Sequence, residues 1–303
     1  MIKVNQIRMK RGLPPTETMA VKDDCNLENL YDALLNVLKL SQEEERHLDA
    51  ERLYRKVLKK LDQTGAGADV NTVVGNRVEA VRDEGSTSMP KSKLLLRRGL
   101  NSLKLSHGQD RQTSGEQNSA AAVSLLRDRK NEFVEVINVA NEIHEARKNL
   151  RIDNDSWTFA QTFLGITTYY RKEKDKTLSI KLSGEMDGVS LFDQFCVLYE
   201  IDLYNEWVPL CTSSKKLKKL RKMGAIAYSL GSVPFLGISR DVFYRVIGCD
   251  CVKEDGSIII SASSIDKQDC PSDIDFPSEP TGFGSARMIA NSFQASIEIL
   301  SPT

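Results

Sequence analysis

Apolar positions recur at helical spacing in the first half of this chain and at strand spacing in the second. Leu27, Leu30, Tyr31, Leu34, Leu35 and Leu38 mark one side of a helix, with Asn26 placed to cap it. Leu48, Leu53, Tyr54, Val57, Leu58 and Leu61 repeat the pattern. Ser41 followed by Glu44 fits a capping box between the two, so residues 23–63 are expected to form an antiparallel helical hairpin. Residues 1–22, with Pro14-Pro15 and mixed charges, read as irregular. Residues 64–118 read as a linker, because Gly65, Gly67, Gly75, Gly85 and the polar run 106–118 cannot build a core; a short helix is expected at Leu94–Leu105.

A long amphipathic helix follows, carrying Val123, Leu126, Phe133, Ile137, Ala140 and Ile143 near one face. Lys130 and His144 break any heptad seam, which favours packing on a sheet over a coiled coil. Strands are expected at Phe163–Arg171 and Leu178–Gly184. In the second, Leu178, Ile180 and Leu182 face one way, while Ser179, Lys181 and Ser183 face the other. Leu191, Phe195 and Leu198 then return to helical spacing.

From Tyr228 to Ile265 nearly every residue is β-branched, aromatic or a turn former: strand, Pro-centred turn, strand, Asp-Gly hairpin, strand. Phe243, Arg245 and Ile247 share one face, and Val242, Tyr244 and Val246 the other. Strands apolar on both faces must be covered on both sides. The expected fold class is therefore α+β, a curved antiparallel sheet wrapped around one helix, with residues 119–303 as its domain.

Composition narrows the function classes. Lys plus Arg and Asp plus Glu are equal at 42 each, which gives no argument for nucleic acid. The first twenty residues hold no apolar core, and no run approaches the ~18 apolar residues of a membrane helix. A cytoplasmic protein with at most peripheral membrane contact is expected. The six cysteines form no Cys-x-x-Cys, and Cys249-x-Cys251 reads as two small buried side chains on one strand face. No metal or cofactor site is read. Enzyme motifs are missing too: no Gly-x-Ser-x-Gly, phosphate-cradling Gly loop or His-Glu-x-x-His occurs.

Several segments in order resemble the START domain, the lipid-transfer module related to the steroidogenic acute regulatory protein. Pro234 stands near a strand end, followed by the Arg240-Asp241 pair, the strand Val242–Ile247, the acidic turn Glu254-Asp255-Gly256 and the strand Ile258–Ser264. Upstream, Trp207-Val208-Pro209 is similar to the family's helix exit. The resemblance covers residues 120–303 and implies a helix-grip fold and a non-catalytic role, with a lipid or sterol in an apolar cavity. Family members continue past Met288–Leu300 into another strand and a long helix over the cavity. Here the sequence stops at Ser301-Pro302-Thr303, so either it is a fragment or the lid is expected to be missing or supplied otherwise.

The candidate lipid-contacting residues are Phe195, Trp207, Tyr228, Phe243, Arg245 and Ile247. If Arg245 faces inward it needs a partner such as Glu200, Asp202 or a lipid head group. Six of the eight residues Lys215–Lys222 are cationic, with Leu217 and Leu220 three apart. On a helix, Lys215, Lys216, Lys218, Lys219, Arg221 and Lys222 would flank a thin apolar edge suited to an anionic membrane surface. The hairpin's second helix resembles the latter half of a tetratricopeptide repeat. One repeat cannot bury its own apolar face, so the hairpin must dock on the sheet domain, a second protomer or a protein partner. An adaptor binding a partner through that hairpin is the alternative function.

Overall fold

The computed structural model describes residues 7–10, 27, 29–63, 114–150, 157–174, 177–186, 188–281, 284–290 and 292–300. The chain divides into two compact units, residues 23–140 and residues 1–22 with 141–303. The expected helix at 94–105, the Asn26 cap and the linker as far as residue 113 lie outside the described residues.

In the first unit α1 (Leu30–Gln42) and α2 (His47–Leu61) pack against each other. The cap is Asn29, whose side chain accepts from the Tyr31 and Asp32 amides at 3.1 and 3.3 Å, so the helix starts three residues later than Leu27. Ser41 does not cap α2. It lies buried at the end of α1, with its Oγ 3.0 Å from Nδ1 of His47. The other ring nitrogen lies 3.1 Å from the Glu45 carboxylate. All three side chains are buried in the turn, so the polar pattern marks an interior cluster and not a cap.

Helices α3 (Ser114–Asp128) and α4 (Lys130–Leu150) replace the single long helix, and α3 begins inside the segment read as linker. Leu34, Val37, Leu53, Tyr54 and Val57 of the hairpin pack with Leu126, Phe133 and Val136. Tyr54 stacks on Phe133 at 5.3 Å between ring centroids, and Gln42 donates to Glu132 at 2.8 Å. The hairpin's apolar face is therefore covered from within the chain. The division falls at 140/141, inside α4, rather than at 118/119, because α3 and the start of α4 bury their apolar side chains against the hairpin.

The second unit is a sheet with helices. Its strands are β1 (Ile7–Lys10), β2 (Thr158–Phe163), β3 (Ile166–Lys172), β4 (Leu178–Glu185), β5 (Cys211–Arg221), β6 (Gly224–Val233), β7 (Ile238–Cys251), β8 (Ser257–Ser264), β9 (Ala286–Arg287) and β10 (Phe293–Leu300). They lie in the order β2-β3-β4-β1-β10-β8-β7-β6-β5, with β9 on β7. Neighbours are antiparallel except at β1 and β9, and bulges bend the β5–β6 and β2–β3 pairs. The helices are α5 (Leu191–Tyr199), α6 (Tyr204–Trp207) and α7 (Val252–Asp255). The fold class is α+β of helix-grip type, as the sequence indicated: a helix lies against one face of a largely antiparallel sheet.

Three differences have clear causes. Residues 7–10 are a strand within the segment read as irregular; Ile-Arg-Met-Lys is too short a run for alternation to stand out. The first expected strand is really a hairpin, with β2 and β3 joined through Leu164 and Gly165, both at positive φ (50° and 76°), the conformation of a tight hairpin turn. The Lys215–Lys222 run forms most of strand β5, not a helix. Leucines three apart fit a helix, but pairing with β6 decides the matter.

Gly248 packs closely on the turn that precedes β6. A Cβ there would lie 2.7 Å from Cβ of Met223 and 3.3 Å from its carbonyl oxygen. Gly248→Ala is expected to lower unfolding free energy by about 1–3 kcal/mol in urea melts, since it overpacks a filled position. An unchanged midpoint would show that the turn at Met223 yields freely.

Candidate ligand-binding face

Strand register divides the sheet into two faces with different chemistry. On one, Ile258 and Ile260 of β8 and Ala295 and Ile297 of β10 are buried beneath Leu191, Phe195 and Leu198 of α5. Val246, Phe293 and Met223 join that cluster. Ser190 starts α5 by accepting from the Asp193 amide at 3.0 Å. Ile7 of β1 aligns with both Ile297 and Gly184, so the same face continues through Leu182, Ile180 and Leu178 of β4 to Ile166 and Tyr170 of β3. There the cover stops. Leu178 is 41% exposed, Ile166 48% and Phe163 67%.

That result reverses an expectation about β4. Ser179 and Lys181, read as the solvent side, are buried on the other face. Trp157 lies there, with Arg171 4.6 Å and Lys181 5.3 Å from its ring centroid. A cation over an indole face is sheltered and attracted at once, so alternation located the two sides but not their burial.

Tyr244, Ser229 and Ser214 place neutral hydroxyls on the α5 face, where Lys216, in register with Ala227, is charged. Tyr244 and Ser229 place their hydroxyls 3.4 Å apart, and Ser214, in register with Ser229, has a buried hydroxyl without a hydrogen-bond partner among the described residues. Burial raises the Tyr244 phenol above its ordinary value, against the opposing hydrogen bond with Ser229, so it stays protonated. Tyr204 is also raised by burial and donates to the Leu198 carbonyl at 2.6 Å, tying α6 to α5.

The opposite face is charged and closed. Arg245 pairs with Glu142 of α4 at 2.5 Å, and Arg147 with Glu254 and Asp255 at 3.2 and 2.9 Å. Asp241, fully buried, holds Arg287 of β9 at 2.5 Å, while Arg287 also donates to the Pro277 carbonyl at 2.9 Å. Cys249 and Cys251 share this face with their sulfurs 3.6 Å apart; the Cys251 thiol is pushed up by its hydrogen bond with Cys249 and by burial. A cavity of about 120 Å³ lined by Arg147, Asp255, Ser257 and Glu298 opens here. It is polar, and small against the roughly 300–1,000 Å³ of ligand pockets.

The six candidate residues therefore do not converge. Phe195 belongs to the α5 face, stacked on Tyr199 at 5.6 Å. Trp207 is 49% exposed on α6, edge-on to Tyr204. Tyr228, Phe243, Arg245 and Ile247 lie on the opposite face, where Phe243 meets Phe276 edge-on at 4.8 Å. Burial first, then the Asp241 charge, raises the Tyr228 phenol. Arg245 finds Glu142, not Glu200, Asp202 or an open pocket. Tyr244, Val246 and Ser229 sit at the alternate positions of β6 and β7, and Ser214 on neighbouring β5 joins them. Parity separates the two sets, but it could not say which lies on the α5 face.

On β5 the cations also part company. Lys216 lies 3.9 Å from the Tyr199 ring centroid, Lys218 pairs with Asp273 at 2.6 Å, and Lys215, Lys219 and Lys222 are exposed. β5 is an edge strand, where lysines discourage pairing with another chain. The helical basis for the membrane reading of this run is removed.

No family model and no curated protein matches the chain. Solved structures do. A STAR-related lipid transfer protein fragment from Xanthomonas axonopodis is 19% identical, with TM-score 0.32 over 44% of this chain and 68% of that one. Human StAR-related lipid transfer protein 5 is 16% identical, with TM-score 0.38 over 50% and 68%. Human STARD10 is 18% identical, with TM-score 0.37 over 43% of this chain and about half, 53%, of its own. These neighbours come from the family that the sequence resembles.

Asp241→Ala would strand Arg287 among carbonyls with its anion removed. A loss of roughly 3–5 kcal/mol is expected in denaturant melts. A loss below about 1 kcal/mol, the range of an exposed pair, would show that the clamp is solvated.

Proposed function

We propose that this chain binds a lipid-like hydrophobic ligand, without covalent chemistry, on the sheet face that α5 partly covers. The observation that carries this reading is the abrupt end of cover on one continuous apolar face. Ile258, Ile260 and Ile297 are buried under α5, while Leu178, Ile166 and Phe163 remain open. Contiguous apolar surface of this kind marks a binding site more often than chance exposure. An acyl chain or sterol ring laid there gains about 0.8 kcal/mol per buried methylene. The hydroxyls of Ser214, Ser229 and Tyr244 supply neutral polar contacts for its head.

Exchange with membranes is the finer step of this reading, with peripheral contact supported by exposed Lys215, Lys219 and Lys222. Equal pelleting with zwitterionic and anionic vesicles would remove those lysines from it.

The direct test is native mass spectrometry of protein purified from cells, followed by titration of a delipidated sample with a fluorescent acyl probe. Leu178→Asp, at a half-open position, is expected to weaken binding about tenfold or more, because a carboxylate would be desolvated by the ligand. Arg245→Leu, on the opposite face, should leave affinity unchanged. If Arg245→Leu abolishes binding while Leu178→Asp does not, the ligand lies on the other face.

A further inference from the structure

The two edges of the sheet are guarded very differently. β5 presents Lys215, Lys216, Lys218, Lys219 and Arg221 within its eleven residues. β2, at the other edge, reads Thr-Phe-Ala-Gln-Thr-Phe, with no charge and no proline, and all six residues are exposed. Phe159 is 59% exposed and Phe163 67%. Its inner side pairs with β3, and its outer row of amides and carbonyls has no strand partner among the described residues. An uncharged apolar edge of this length is a template for another strand.

We propose that β2 is a homotypic interface, on which two copies of this chain pair antiparallel and continue one sheet into the other. The argument for a second copy rests on self-complementarity. A two-fold axis perpendicular to the sheet requires residues that face each other across the junction to point to the same side. The bulge between Phe159 and Gln161 puts Thr158, Gln161 and Phe163 on one side, matching Tyr170, Thr168 and Ile166 of β3. It puts Phe159 and Thr162 on the other, matching Tyr169 and Thr167.

Pairing Thr158 with Phe163, and Phe159 with Thr162, of the second copy satisfies the requirement at both of these pairs. Without the bulge, each of these pairs would split between faces. Each phenylalanine then meets a β-branched threonine, a favourable cross-strand contact. No like charges meet, and with 42 cationic and 42 anionic residues the chains carry no net repulsion. The pairing consumes both β2 edges and so closes at a dimer.

Sedimentation velocity of the full chain over an about hundredfold concentration range should show a reversible monomer–dimer equilibrium. Thr162→Lys, an exposed change that gives up the 3.0 Å hydroxyl contact with Thr167, puts an ammonium opposite Phe159 of the second copy; Thr162→Val, which loses the same contact without adding charge, is its control. Thr162→Lys is expected to raise the dimer dissociation constant about tenfold or more. The double variant Phe159→Cys with Thr162→Cys should oxidise to a covalent dimer, whereas either single variant should not. Three results would overturn the proposal: a monomer throughout, a dimer that Thr162→Lys leaves unchanged, or open-ended growth.

Discussion

The sheet depends on keeping water from both of its sides. β7 and β8 carry apolar residues at successive positions, so Ile258, Ile259 and Ile260 are all buried although neighbours point opposite ways. α5 shields one side. On the other, the end of α4 brings Glu142 to Arg245 and Arg147 to the α7 turn, and Leu150 lines a cavity with Ile259. Two-sided burial fixes where helices must lie, and the stretch that cover does not reach becomes the candidate site.

Charge is sorted by the same constraint. A buried ion costs several kcal/mol unless it is paired, and the pairs cluster on the α4 side: Asp241 with Arg287, Arg245 with Glu142, Arg147 with Glu254. The α5 side instead holds hydroxyls whose desolvation is cheaper, among them Ser214 without a partner.

Much of this was legible in the sequence, wherever a local pattern and the tertiary fold agreed. The β7–β8 hairpin follows from alternation around Glu254-Asp255-Gly256, with Gly256 at φ 73° closing the turn. The hairpin α1–α2 follows from 3.6-residue spacing. What escaped was decided by distant partners. Lys215–Lys222 satisfies helical spacing, and only β6 makes it a strand. Phe243 and Tyr244 are equally plausible wall residues until α5 and α4 choose their sides. Lys181 reads as solvated until Trp157 covers it.

Edges complete the argument. A sheet whose strands are apolar on both faces is hazardous wherever its backbone is open, because any extended chain can extend it. The cations of β5 remove that hazard at one end, and two of them are held in place, Lys216 by the Tyr199 ring and Lys218 by Asp273. The other end has no such guard, and it is also where the apolar face loses its helix. Phe163 of β2, in register with Ile166 of β3, therefore belongs at once to the open edge and to the open face. Whatever covers that edge therefore changes the water exposure of the open face at Phe163.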